Sequence, residues 1–121
     1  MKFILVMLLA LFSISAYAAD AQGNYAIWGA GKKSCISYTK AREAGDYDSF
    51  KHYLMGYLTA YNLLAENTYR ISGNKNLDEM LVWLDDYCEL KAIHSFEQAL
   101  TELIVENYET RKKSASSFGG R

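Results

Sequence analysis

The most regular hydrophobic pattern in the chain spans residues 50–67. Apolar and aromatic side chains recur there every three or four positions, which is the period of a helix: Phe50, Tyr53, Leu54, Tyr57, Leu58, Tyr61 and Leu64. Met55 and Leu63 lie off that stripe, so the predicted helix is apolar nearly all round. Such a helix is expected at the centre of a fold, with partners on several sides. It is too short for a membrane span, which needs about 20 apolar residues.

A shorter helix is predicted before this central one. Ser34 can cap a helix that begins at Cys35, and Gly45 can end it in the left-handed conformation. The central helix then starts after an acidic pair, with Asp48 or Ser49 as its N-cap.

Two further helices follow the central one. Asn76 can cap the third helix, whose buried stripe is Leu77, Met80, Leu81, Leu84 and Cys88, flanked by Trp83 and Tyr87. Ser95 and Gln98 form a capping box at the start of the fourth. Its buried stripe is Phe96, Leu100, Leu103, Ile104 and Tyr108, with Glu97, Glu102, Glu106 and Glu109 facing water.

The two flanks of this helical region, residues 34–110, have a different composition. Residues 19–33 mix three glycines with aromatic side chains, which predicts a flexible extended arm. Ile27 and Trp28 could tuck onto the core. Residues 111–121 are small, polar and glycine-rich, so a disordered tail is predicted.

The first 18 residues have the pattern of a secretory signal peptide. Lys2 precedes a short apolar run, and Ala16-Tyr17-Ala18 supplies the small residues of a cleavage site before Ala19. The alternative is an uncleaved membrane anchor. Without Lys2, 12 of the 13 Lys and Arg residues remain against 14 Asp and Glu, a formal net charge of −2. This near-neutral charge does not indicate a nucleic-acid-binding protein. The signal peptide predicts a periplasmic location without membrane attachment.

The mature chain contains two cysteines, Cys35 and Cys88. In an oxidising compartment an even pair in a small domain most simply forms a disulfide. Two free or metal-binding thiols are the alternative. We therefore predict an all-α fold, a small domain of four to five helices around the central apolar helix, stapled by one disulfide.

No residue set in the sequence has the spacing of a known catalytic or cofactor site. His52 and His94 lie on different predicted elements, and G-x-S-x-G, H-E-x-x-H and phosphate-binding glycine loops are missing. The acidic pair Asp85-Asp86 is explained by solvation on the third helix. We predict a binding protein with no enzymatic activity, cofactor or metal.

The central helix has two features that suggest close contacts. Gly56 and Ala60 make a row of small residues where another backbone could approach. A tyrosine ladder runs beside it: Tyr53, Tyr57 and Tyr61. Core packing explains this ladder, and contact with a second chain, as in a homodimer, is the alternative. Asn62 is predicted to be a satisfied buried amide.

Two segments resemble the Rap/Tai family: residues 56–62 (GYLTAYN) and residues 83–88 (WLDDYC). The matching motif residues are Gly56, Tyr57, Tyr61, Asn62, Trp83 and Tyr87. The resemblance spans residues 34–108 and implies a periplasmic immunity protein, often dimeric, that occludes a peptidoglycan amidase effector of a type VI secretion system. This chain departs from the family pattern in three places: Tyr38 replaces the usual Trp, Ala60 replaces a Gly, and residues 90–92 lack the usual Asn-Pro.

The longest polar break, residues 67–76, is the candidate contact loop. Its candidate partner-binding residues are Tyr69, Arg70, Asn74 and Lys75, because Tyr and Arg are favoured at binding hot spots. Two other functions stay open from the sequence. One is an acid-stress chaperone of the HdeA/HdeB type, and the other is an exported structural or adaptor domain.

Overall fold

The structure is a computed structural model that describes residues 19–117. The predicted signal peptide and the last four residues of the tail lie outside the described residues. Between residues 19 and 117 there are four α-helices and no strand: α1 Cys35–Ala44, α2 Asp48–Leu64, α3 Leu77–Leu90 and α4 Phe96–Asn107. Two short 3-10 helices flank them, Gly29–Lys32 and Ala115–Ser117. The predicted all-α, disulfide-stapled fold class is confirmed.

Three of the four helices begin at the predicted caps. The side-chain oxygens of Ser34, Asn76 and Ser95 each accept a hydrogen bond from the backbone N–H three residues later. Gln98 completes the capping box by accepting from the Ser95 N–H at 2.9 Å. Gly45 ends α1 with φ of 71°, a conformation that glycine adopts at little cost.

The predicted cap of α2 was wrong. The helix begins at Asp48, and Tyr47 is its N-cap without any side-chain cap bond. The Tyr47 ring lies under the guanidinium of Arg42, 4.5 Å from the ring centroid, so contact with α1 holds the chain here. Asp48 still lies in the first turn, where its charge suits the helix dipole.

Three aromatic rings form the centre of the core. Tyr38 stacks on Phe96 with ring centroids 4.9 Å apart, and Phe50 meets both rings edge-on at 5.5 and 5.0 Å. These rings join α1, α2 and α4. Aliphatic side chains of α3 and α4 complete the core: Met80, Leu81, Leu84, Ala99, Leu100 and Leu103.

The disulfide links the first residue of α1 to the last turn of α3. Cys35 and Cys88 are both buried, and their Cα atoms are 4.8 Å apart. Backbone pairing continues beside the bridge, where the Cys35 N–H donates to the His94 carbonyl at 2.8 Å. The bridge therefore also positions the connection between α3 and α4.

The expected burial of α2 on several sides was wrong. Phe50 and Leu54 are buried, but Met55 is 47% exposed and Leu63 is 81% exposed. A Cβ built on Gly56 would have no neighbour within 4 Å, so no backbone packs against the small-residue row. The other described elements cover one side of α2 only, which leaves an apolar face in solvent.

A close approach does occur at Gly31, in the segment predicted to be a flexible arm. The 3-10 helix Gly29–Lys32 contacts both α2 and α4 and buries Ala30 and Gly31. A Cβ on Gly31 would overlap the ring of Tyr53. Residues 29–32 therefore belong to the folded domain, whereas Trp28 does not tuck onto the core and is 81% exposed.

The beginning of the predicted disordered tail is also paired. The backbone N–H groups of Tyr69 and Arg70 donate to the Lys112 carbonyl at 2.8 and 3.0 Å, and Lys112 donates back to Arg70 at 2.9 Å. Composition did not reveal this pairing because it uses only backbone groups. Among the helices between residues 19 and 117, none has the length and apolar character needed to cross a membrane.

Candidate functional site

A groove separates α2 from the candidate contact loop and continues to the start of α3. Its volume is about 220 Å³. Its apolar lining consists of Met55, Leu58, Ile71, Leu77 and Met80. Its polar lining consists of Thr59, Asn62, Arg70, Ser72, Lys75 and Asn76. A groove lined by both apolar and polar side chains suits recognition of another molecule's side chains.

Asn62 fixes the loop against the last turns of α2. Its Oδ1 accepts a hydrogen bond from the Ile71 N–H at 2.8 Å, and Ile71 is 1% exposed. The Asn62 amide is half-buried and has a structural role, so the exposed residues around the groove are the candidates for binding a partner.

The two cationic side chains of the loop also make bonds within the chain. Arg70 donates from Nε to Ser72 Oγ at 2.9 Å and from Nη2 to the Lys75 carbonyl at 3.1 Å. Lys75 donates to Asn107 Oδ1 on α4 at 2.9 Å. Tyr69 and Asn74 are both exposed, and Tyr69 is 49% exposed.

The C-terminal segment holds this loop in place. Gly73 has φ of 62°, and a Cβ there would lie 2.6 Å from the Thr110 carbonyl oxygen, so only glycine fits. Arg111 donates from Nε to Thr68 Oγ1 at 3.1 Å. The loop is therefore pre-organised, which lowers the entropy lost on binding.

The groove adjoins an exposed face of α2. Met55, Thr59 and Leu63 are spaced four residues apart and share one side of the helix. On the loop that forms the other side of the groove, Tyr69 and Asn74 are exposed. We call these five residues the α2–loop face; no charged side chain is among them.

A second polar cluster joins α1 to α3. Arg42 binds Asp85 through two hydrogen bonds of 2.8 and 2.7 Å, and the Tyr38 hydroxyl donates to the same carboxylate at 2.8 Å. Burial, followed by the Asp85 carboxylate, raises the pKa of Tyr38 far above its usual value. Asp85 is thus a link between helices, and its assignment to plain solvation was wrong; Asp86 is exposed as predicted.

A third cluster surrounds Glu97, which was predicted to face water. This prediction was wrong, because Glu97 is 4% exposed. Its carboxylate accepts from Tyr25 at 3.1 Å, Tyr57 at 3.3 Å and Thr101 at 3.1 Å. Burial raises the pKa of Tyr57 to about 12. The sequence signal for this burial is weak, since Glu97 lies one turn before Leu100 at the edge of the apolar stripe.

The second motif segment makes different contacts. Trp83 and Tyr87 stack with ring centroids 5.3 Å apart, and the Tyr87 hydroxyl lies 2.8 Å from His94 Nδ1. Tyr57 instead contacts Glu97, and Tyr61 is half-buried near the end of α2. The motif residues therefore take part in several separate structural contacts.

The described part of the chain contains no group of three or more His, Cys, Asp or Glu side chains that could hold a metal ion. His52 is exposed in the second turn of α2, whereas His94 contacts Tyr87.

No family model, curated protein or solved structure matches the chain. A function can therefore be argued only from the motif resemblance and from the surfaces described above.

Proposed function

We propose that the protein is a periplasmic immunity protein that binds and occludes a peptidoglycan amidase effector of a type VI secretion system. Two kinds of support exist. Residues 56–62 and 83–88 resemble the Rap/Tai family, and the α2–loop face is an uncharged, partly apolar surface beside a groove. The buried disulfide is compatible with an oxidising compartment such as the periplasm.

The observation that carries the binding role is the exposure of the α2–loop face. Leu63 is 81% exposed at the end of a helix whose Phe50 and Leu54 are fully packed. Exposed apolar surface with polar neighbours is typical of protein interaction sites. Tyr69 adds an aromatic side chain of the type that anchors interfaces.

The loop geometry suits inhibition by direct contact. Asn62, Gly73 and Arg111 fix the loop from three sides, so Tyr69 and Asn74 keep their positions before a partner arrives. A rigid surface loses less conformational entropy on binding and so supports tight association. We propose that this face covers the mouth of the amidase site and that the groove receives a side chain of the effector.

The test is co-expression with a peptidoglycan amidase from the same organism, beginning with any that a neighbouring gene encodes. The account predicts that the two proteins copurify and that the complex no longer degrades peptidoglycan, whereas the amidase alone does. An amidase that stays fully active in the presence of excess protein would contradict the proposal. The absence of any complex at micromolar concentrations would also contradict it.

The acid-stress chaperone is a second candidate, favoured by one observation. A single carboxylate, that of Asp85 on α3, binds both Arg42 and Tyr38 on α1, so the loss of this one link would weaken the contact between the two helices. Loosening could then expose core residues to unfolded clients. Protection of unrelated client proteins from aggregation at strongly acid pH would favour this candidate, because an inhibitor of one amidase has no reason to protect them.

A further inference from the structure

Glu97 is the single buried acidic residue among residues 19–117. Neither of the ion pairs within these residues includes it; they join Arg42 to Asp85 and Lys51 to Asp48. A buried carboxylate without a counter-charge depends on hydrogen-bond donors to offset the lost hydration. Its environment is therefore built from hydroxyl groups.

These donors come from three different parts of the chain. Tyr57 belongs to α2 and donates to Oε1, while Thr101 lies one turn later on α4 and donates to the same oxygen. Tyr25 precedes the first 3-10 helix and donates to Oε2 at 3.1 Å. One carboxylate oxygen is thus served by the helical body and the other by the N-terminal segment.

The N-terminal segment, residues 19–28, is exposed except at Ala19 and Ile27, and we name it the strap. Its first part is a closed turn, in which Asp20 Oδ1 accepts from the N–H groups of Gln22 and Asn24 at 2.9 and 2.8 Å. Tyr25 itself is 58% exposed and Trp28 is 81% exposed. The strap contributes no fully buried residue; Ile27 is half-buried, and the Tyr25 hydroxyl bonds the strap to Glu97 on α4.

The strap is followed by a candidate hinge at Gly29 and then by the buried residues Ala30 and Gly31. Ala30 and Gly31 are buried and cannot move without disturbing Tyr53. Gly29 has φ of 61°, a conformation that glycine adopts at little cost. A Cβ built on Gly29 would lie 3.9 Å from Tyr53 Cδ2, so Gly29 is not tightly packed. Rotation about Gly29 would lift residues 19–28 and leave the four helices unchanged.

We infer that the strap is a releasable cover over a hydrogen-bond acceptor site formed by Glu97, Tyr57 and Thr101. In the isolated protein, Tyr25 fills this site with its own hydroxyl. When the strap lifts, the carboxylate accepts a phenol hydroxyl presented in trans by a tyrosine of a protein partner. This inference does not depend on the partner being an amidase.

The release test compares Tyr25→Phe with Trp28→Phe in the full mature chain. Tyr25→Phe keeps the ring and removes the donor, while Trp28→Phe changes an exposed aromatic residue on the same segment. Protease cleavage within the strap and nitration of Tyr57, both located by peptide mass spectrometry, should be about tenfold faster in Tyr25→Phe, since a hydrogen bond to a charged group contributes ~1.4 kcal/mol or more. Trp28→Phe should match the wild type. Equal rates in all three proteins would overturn the inference.

The acceptor site is tested by chemical rescue with p-cresol, which is the side chain of tyrosine. Added to Tyr25→Ala, p-cresol should bind beside Glu97 and return the nitration rate of Tyr57 towards the wild-type value. The double variant Tyr25→Ala/Glu97→Gln, checked for native circular dichroism, should not respond. Protection of Tyr57 to the same degree in both variants would show that p-cresol binds without the carboxylate and would refute the site.

Discussion

Gly31 and Gly56 have opposite surroundings, and this difference leads to a prediction at the residue scale. A Cβ on Gly31 would overlap the Tyr53 ring, whereas a Cβ on Gly56 would meet nothing within 4 Å. Gly31→Ala should lower the free energy of unfolding by about 1–3 kcal/mol through overpacking. Gly56→Ala should raise it by up to about 1 kcal/mol, because alanine is the better helix former.

Urea unfolding of the two alanine variants measures both effects on one scale. They serve as controls for each other, since each replaces glycine by alanine. A destabilised Gly56→Ala variant would show that the row on α2 packs against another chain.

Asp85 and Asp86 are neighbours in sequence, but only Asp85 connects two helices. Asp85→Asn removes the charge that binds Arg42 while it keeps an oxygen near Tyr38. Because the Arg42 and Asp85 side chains are 23% and 35% exposed, solvent screening reduces the effect to about 1 kcal/mol. Asp86→Asn should change the free energy of unfolding very little. Equal losses in the two variants, measured by urea unfolding, would contradict the assigned role of Asp85.

Residues whose role is local were predictable from the sequence. Ser34, Asn76 and Ser95 cap their helices as predicted, because a cap depends on residues within one turn. Gly31 and Glu97 were misjudged because their environments come from Tyr53 and Tyr57 on another element. No periodic pattern within one segment contains that information.

At the scale of elements, tyrosine hydroxyls join α2 and α1 to their neighbours, which predicts a loss of stability in alkali. Burial raises the pKa of Tyr57 from 10.0 in the unfolded chain to about 12 in the fold. The unfolded state therefore loses the Tyr57 proton first. The stability from this residue is complete below pH 10 and is lost as the pH rises towards 12.

Urea unfolding at a series of alkaline pH values, with tyrosinate absorbance as the second signal, checks this prediction. Tyr57→Phe should show a shallower decline than the wild type, since it lacks one of the groups that drive the change. Identical curves for Tyr57→Phe and the wild type would contradict the role of this hydroxyl.

The order and type of the helices were predictable because α2, α3 and α4 have clear apolar stripes, and because α1, α3 and α4 have recognisable N-caps. The packing of α2 was not. Its apolar residues exceed what the domain can cover, so Met55 and Leu63 face solvent. Period and hydrophobicity show which residues could be buried, but they do not show how many neighbours are available.

For the whole molecule, the bridge between Cys35 and Cys88 should dominate stability. The two cysteines are 53 residues apart, and closing a loop of that size contributes about 4 kcal/mol in the chain-entropy model. Domains of this size have a total stability of about 5–15 kcal/mol. Cys35→Ala/Cys88→Ala should therefore unfold at much lower urea concentration than the oxidised wild type. A loss below about 1 kcal/mol would contradict this estimate.

The compartment and the partner are properties of the whole molecule that neither periodicity nor the fold determines. The disulfide between Cys35 and Cys88 was predictable from the pairing of two cysteines in a small domain. The surface that binds is harder to predict, because the candidate contact loop contains both structural residues, such as Arg70, and exposed ones, such as Tyr69. Only the three-dimensional contacts separate the two kinds.

The central claim is that the α2–loop face binds a peptidoglycan amidase. Its most direct test is the dissociation constant for the amidase that copurifies with the protein, measured by titration calorimetry with Leu63→Asp and Val105→Asp. Both substitutions place a charge at an exposed apolar position, Leu63 on this face and Val105 on α4. We predict at least about tenfold weaker binding for Leu63→Asp, a change of ~1.4 kcal/mol, and unchanged binding for Val105→Asp. Wild-type affinity in Leu63→Asp, or no binding by the wild type, would contradict the account.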